Sequence, residues 1–398
     1  PPPPSPSPPS AQSHPHHLPA GPIYAPMFGY GPASDISDQA AIDRDQRSLK
    51  AALSAYDFGT ARSIYERGGW SGAYAEFAVP VLPRAVRKST MVSGVSAAGT
   101  TVTGIVSEDT PAGGATLLVR YRGDACHVGG LPNPVSTGCF ANATSISVSG
   151  HGTLHPYYVN SANRRTLRGF STRALSEMIT PGTPTCTAGP CLYHSYLCQG
   201  CPYKDALMYE NYYQTADYAD RWILGALDGT SATFTGGAGD TSFASVDAST
   251  RVECAQRGTV YLSVWMWVLR KLEEGLDDCA AGCVSCNDHG THAWDEAVAF
   301  YTGSLAANAT SGEMLFSLAN SLCAHYNTCA YDGLAAVNVA LFTAFTSGQG
   351  HLTASRCAQA RPVVERIADL MSVPLIQGAL RAAYQLAHLG GGRRERAA

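Results

Sequence analysis

Trp294-Asp295-Glu296-Ala297-Val298-Ala299-Phe300-Tyr301-Thr302-Gly303-Ser304 begins with two adjacent carboxylates, passes through four apolar residues to a phenol, and stops at a glycine. The spacing predicts a helix over 293–302 that Gly303 ends. Upstream, the apolar run from Tyr261 to Leu269 ends at Arg270-Lys271. It is far short of the ~20 residues a membrane span requires and reads as a buried helix segment. Glu273-Glu274-Gly275-Leu276-Asp277-Asp278 follows, so 7 of the 31 acidic residues fall between positions 273 and 296. Helices therefore dominate the expected fold, and acids concentrate on two of them.

Glu273 and Asp277 are four residues apart, as are Glu274 and Asp278, so each pair shares a helix face. Trp265, Val268, Leu269, Leu272 and Leu276 mark the apolar stripe, and Glu273 borders it. That geometry makes Glu273 and Asp277 the inward pair. Asp295, Glu296 and Tyr301 would complete a set of carboxylate and phenolate oxygens, the donors a hard cation such as Fe(III) prefers. His292 and Glu296 also stand at i, i+4. The competing expectations are a solvated helix face for the first acids and a helix-start charge for Asp295, favoured by the macrodipole. A second oxygen-rich group, Tyr203, Tyr209, Tyr212, Tyr213 and Tyr218 with Glu210, Asp217 and Asp220, reads first as half-buried helix tyrosines with hydrogen-bonded tips.

A chain of 398 residues with 45 % hydrophobic content can build a sizeable core, in two or three domains or in one with insertions. The net charge of −4 gives no basic footprint, which sets nucleic acid aside as a partner. Thirteen cysteines and the sequons at Asn142 and Asn308 favour an oxidising, extracellular or periplasmic setting. The start at Pro1 reads as part of a longer precursor. Cys198-x-x-Cys201 and Cys283-x-x-Cys286 have zinc-like spacing, but in a secreted chain disulfides are the expected use, and Cys323-x5-Cys329 reads as a local clamp. Spacing leaves the connectivity open. Gly-x-Ser-x-Gly is absent and the Gly236–Gly239 loop lacks a following Lys-Ser or Lys-Thr, so neither a hydrolase elbow nor a P-loop is indicated.

Five stretches are expected. Residues 1–34 are a Pro/Ser-rich extended leader, with polyproline II over Pro1 to Ser10. Residues 35–88 are an N-terminal helical part with Ile42, Leu49, Leu53 and Tyr56 on one face, broken at Gly59. Residues 89–164 are a β-rich insertion, alternating over Thr101 to Val106 and Ala115 to Tyr121 and stapled by Cys126 and Cys139. Residues 165–389 form the main helical domain, with helices over 171–180, 203–228, 251–278, 293–302, 312–327, 332–346 and 354–389. The last is broken or kinked at Pro374. Residues 390–398 are a tail. Ala61-Arg-Ser-Ile-Tyr65 echoes Ala297-Val-Ala-Phe-Tyr301, which raises duplicated helical halves. The expected class is mainly α, bundle-like and disulfide-stabilised, with an antiparallel β insertion.

WDEAVAFYTGSL (294–305), LANSLCAHYNTC (318–329), VNVALFTAFTSGQGHLTASRC (337–357) and VERIADLMSVPLIQGALRAAY (364–384) resemble the low-iron-inducible periplasmic proteins of algae, also called iron-assimilating proteins. Weaker likenesses are FGTARSIYERGGWS (58–71), RTLRGFST (165–172) and YENYYQTADYADRW (209–222), so the resemblance covers roughly 40–386. It implies a secreted or periplasmic protein of iron acquisition, with an iron ion as cargo and a membrane transporter or reductase as recipient. It implies no catalytic mechanism. The alternative is a structural glycoprotein of an algal wall or matrix, which the Ser-Pro leader, sequons and cysteines also fit.

Overall fold

The computed structural model describes residues 30–34, 36–68, 70–71, 73–95, 101–107, 109–121, 127–128, 131–132, 140, 144–164, 166–171, 204–215, 217–282, 284, 290–303, 312–330 and 333–394. The expected helix at 171–180, the Asn142 and Asn308 sequons, both Cys-x-x-Cys motifs, the Cys126/Cys139 staple and nearly all of the leader lie outside them.

Two hydrophobic cores organise the described residues. The first is helical. Ser37–Ser54 buries Ile42, Leu49 and Leu53, three of the four residues of the expected face; Tyr56 lies past the helix end at φ 59 and is exposed. Phe58–Arg67 follows, capped by Asp57, whose side chain accepts the Thr60 N–H. Ala248–Gly258, a π turn over Thr259–Val264 and Trp265–Ala280 form one run, longer at both ends than the 251–278 expected. Thr291–Thr302 packs along Trp265–Ala280, and Cys357–Arg394 packs against both Ala336–Thr353 and Trp265–Ala280. Trp267, Trp294, Tyr65, Tyr301, Phe300 and Phe345 are fully enclosed there.

Three helix expectations are corrected. The 203–228 stretch divides into Lys204–Tyr213 and Tyr218–Asp228, with Gln214 between them at φ 55. The last helix runs unbroken through Pro362 and Pro374. The helix expected over 332–346 starts at Ala336 and continues to Thr353.

The second core belongs to an antiparallel sheet. Its strands are β1 (Ala73–Ala78), β2 (Met91–Val95), β3 (Thr101–Val106), β4 (Thr116–Tyr121), β7 (Ile146–Val148), β8 (Gly152–Leu154) and β9 (Tyr158–Arg164), with β5 (His127–Val128) and β6 (Leu131–Pro132) as a separate pair. The spatial order is β8-β7-β2-β3-β4-β1-β9. Period-two alternation explains β4: Leu117, Val119 and Tyr121 point inward, where Phe140 meets Tyr121 and Phe77 edge-on at 4.9 and 5.2 Å. The sheet therefore starts within the stretch expected to be helical. β1 pairs with both β4 and β9, so this part is a seven-stranded layer with its own core rather than an appendage beginning at 89. Asp45, on the Ser37–Ser54 helix, ties the two cores together. Its carboxylate accepts the Trp70 and Ser71 N–H groups at 2.7 and 2.9 Å and fixes the turn that launches β1.

Two disulfides are present among the described residues. Cys323–Cys329 is the expected local clamp. Cys279–Cys357 joins the end of Trp265–Ala280 to the start of the long C-terminal helix. Cys254 carries a free thiol.

Candidate functional site

The acidic stretch comes to rest on a three-helix contact, but its carboxylates face different neighbours. Glu273 is buried and turned to the C-terminal helix, where Arg361 Nη1 donates to Oε1 at 2.7 Å. Asp277, its expected partner, is only half-buried. The inward pair read from the stripe is thus corrected. Glu273 faces inward because it has a guanidinium to meet there, and no cation need supply the charge.

The acids that do approach one another are Glu274 and Glu296. Lys271 Nζ lies between them, 2.9 Å from Glu274 Oε1 and 2.7 Å from Glu296 Oε2. Glu296 is 1 % exposed, whereas the Glu274 side chain keeps 32 % of its surface open. Burial works against ionisation of Glu274, but Lys271 and Arg270 hold its pKa below the ordinary value. The other oxygen of Glu296 accepts from Gln39 Nε2 at 2.8 Å, and His292 Nε2 is 3.5 Å from it. The Gln39 amide also approaches His292 Nε2 at 3.0 Å, and His292 Nδ1 approaches Ser34 Oγ at 2.9 Å. Two amide hydrogens with two acceptors assign Nε2 as the acceptor and Nδ1–H as the donor. So the helical i, i+4 spacing of His292 and Glu296 does bring them to one place.

Asp295 has a different task. It is fully buried in the second turn of its helix and accepts from five groups: Tyr30 Oη, Ala33 N (2.8 Å), Ser34 N (2.9 Å), Ser34 Oγ (2.8 Å) and Gln349 Nε2 (2.8 Å). The helix-start role does not hold, since the first turn carries no acid; this carboxylate clamps the 30–34 segment to the helical core. Burial raises its pKa, and the donors offset part of that rise. Tyr301 is also corrected. Its ring is enclosed, its hydroxyl donates to Asn338 Oδ1, and burial pushes its pKa far above the ordinary range, so it is a neutral phenol rather than a phenolate.

One polar cluster has no counterpart in the sequence reading. Asp220 accepts from Arg168 Nε (3.1 Å), Arg168 Nη2 (3.1 Å) and Tyr65 Oη (3.0 Å), and Arg168 Nη1 reaches Glu66 at 3.1 Å. Three helices meet there, and only the tyrosine and glutamate are sequence neighbours. The Tyr209, Tyr213 and Tyr218 rings stack on one another, with centroids 4.7 to 5.5 Å apart, as packed helix tyrosines.

Among the described residues, no three Asp, Glu, His or Cys side chains gather into a group that would hold a metal ion. The expected five-ligand set is therefore dispersed: Glu273 turns to Arg361, Asp277 is half-buried, Asp295 holds the 30–34 segment, Tyr301 meets Asn338, and Glu296 meets Lys271 and Gln39. No protein-family description, curated protein or solved structure matches the chain. No helix among the described residues is long and apolar enough to cross a membrane.

Proposed function

We propose that this chain is an iron-assimilation protein of the extracellular or periplasmic space, which holds iron through carboxylate oxygens and passes it to a membrane transporter or reductase. The observation that carries the reading is the place of Lys271 Nζ, between Glu274 Oε1 and Glu296 Oε2. One ammonium bridges the two carboxylates, with the Arg270 guanidinium 4.0 Å from Glu274 as a second positive charge, and the Lys271 ammonium sits on a flexible stem that can withdraw. In this reading Lys271 is the resting counter-ion and iron takes its place. An arriving cation meets the open Glu274 first and the enclosed Glu296 second. The donors of this reading are the two carboxylates; His292 Nε2, 3.5 Å from Glu296 Oε1, is engaged by the Gln39 amide instead. A displaceable internal cation also favours release, as a carrier requires. The resemblance supports the same reading, because its WDEAVAFYTGSL segment carries Glu296 itself.

Calorimetric titration of the purified chain with Fe(II) under anaerobic conditions, and with Fe(III) citrate, tests it. Stoichiometric binding in the native chain should be lost in Glu274→Gln/Glu296→Gln, and Lys271→Met should bind more tightly. Equal binding by all three proteins, or none by the native chain, overturns the reading.

A further inference from the structure

The same helix carries a second buried cation, whose charge acts on Glu274 but whose hydrogens that carboxylate does not accept. Arg270 is 7 % exposed, and its Nε and Nη1 atoms are shut off from solvent without a hydrogen-bond partner. The nearest carboxylate oxygen, Glu274 Oε2, is 4.0 Å from Nε, too far to accept a hydrogen bond, and the other Glu274 oxygen is turned to Lys271. The guanidinium lies over the Trp267 ring at 4.8 Å, and Trp267 is stacked on Phe170 at 4.7 Å with an interplanar angle of 10°. Ser263, seven residues earlier and on the same helix face, also has a buried hydroxyl without a partner. It belongs to the π turn Thr259–Val264, a distortion found disproportionately at functional sites.

A guanidinium stays charged at any physiological pH, and a shielded N–H without an acceptor is unfavourable. Two such N–H groups on one side chain make a charged donor pair without a hydrogen-bond acceptor. The aromatic stack fixes the guanidinium before any ligand arrives, so little ordering is left to oppose binding. We infer that Arg270 binds a small oxyanion, either a carboxylate or a phosphate. This goes beyond the iron reading and does not require it; the two share only Glu274, whose Oε2 lies 4.0 Å from Arg270 Nε.

The test uses the full chain, stripped of metal with chelator, at constant ionic strength. Inorganic phosphate is titrated in one arm and acetate in the other. Indole fluorescence and the Arg270 Nε–H resonance are followed. Expected is a saturable response with a downfield shift of that resonance, and the arm that saturates at the lower concentration names the ligand class. Arg270→Met should weaken binding about tenfold or more, and Arg270→Lys should restore part of it. A non-saturating response in both arms, or saturation unchanged in Arg270→Met, overturns the inference and leaves a buried water as the partner. If Arg270→Met does not fold, the resonance in the native chain decides alone.

Discussion

Removing the Asp295 carboxylate should release the 30–34 segment from the helical core. Five donors converge on it. Oδ2 takes Ala33 N, Ser34 N and Ser34 Oγ, whereas Oδ1 takes Tyr30 Oη and Gln349 Nε2. At about 1.5–3 kcal/mol per bond to a charged acceptor the simple sum is about 7–15 kcal/mol. That sum is an upper bound, because Ala33 is exposed and a detached segment regains water for its donors. The Tyr30 ring and Gln349 bear the remaining loss, and deleting a buried carboxylate also recovers its desolvation. Asp295→Ala should therefore cost about 3–5 kcal/mol, the range for breaking a buried charged network. Asp295→Asn should cost only about 1–2 kcal/mol, since a carbonyl turned toward Ser34 keeps three of the five bonds. Urea unfolding gives the free energies, and amide hydrogen exchange at Ala33 and Ser34 reports the clamp itself. A loss below about 1 kcal/mol in Asp295→Ala, with both amides still protected, would refute the reasoning.

Gly348→Ala should lower the melting temperature. Its Cβ would stand 2.0 Å from Trp294 Cζ2 in a fully buried contact, so overpacking of about 1–3 kcal/mol or more outweighs the ~1 kcal/mol of added helix propensity. Asp43 gives a pH dependence. Burial raises its pKa to about 6, so the folded state binds this proton more tightly than the unfolded chain does. Its favourable contribution is complete below the unfolded value near 4 and disappears as pH rises through about 6, a swing of about 3 kcal/mol. Asp43→Asn should therefore gain on the native chain between about pH 4 and pH 7 in urea titrations, and parallel curves would contradict this. Replacing Cys279 and Cys357 together by Ala opens a crosslink between residues 78 apart and should cost about 4 kcal/mol, measured without reductant.

Local patterns were legible before any coordinates. The 293–302 helix, the strands over 101–106 and 115–121, the inward face of Ser37–Ser54 and the Cys323–Cys329 clamp all follow from periodicity or short spacing. β1 was not legible, because Ala73-Tyr-Ala-Glu-Phe-Ala78 is rich in a strong helix former and becomes a strand only through its partners β4 and β9. The burial of Glu273 was read correctly, but its partner, Arg361, lies 88 positions away. Asp295 carries the same lesson. Its donors come from residues 30–34 and 349, so no window around Trp294 could reveal the clamp. Pairwise charge matching across distant helices decides which acid is structural and which stays reachable, and one-dimensional spacing does not contain it.

The central claim is that iron exchanges with the Lys271 ammonium between Glu274 and Glu296. Diffraction from iron-soaked crystals, with data collected on both sides of the iron absorption edge, tests it most directly. The account predicts an anomalous peak within bonding distance of Glu274 and Glu296 oxygens, with Lys271 Nζ swung away. Lys271 still seated between the two carboxylates, with no anomalous peak there, would contradict it.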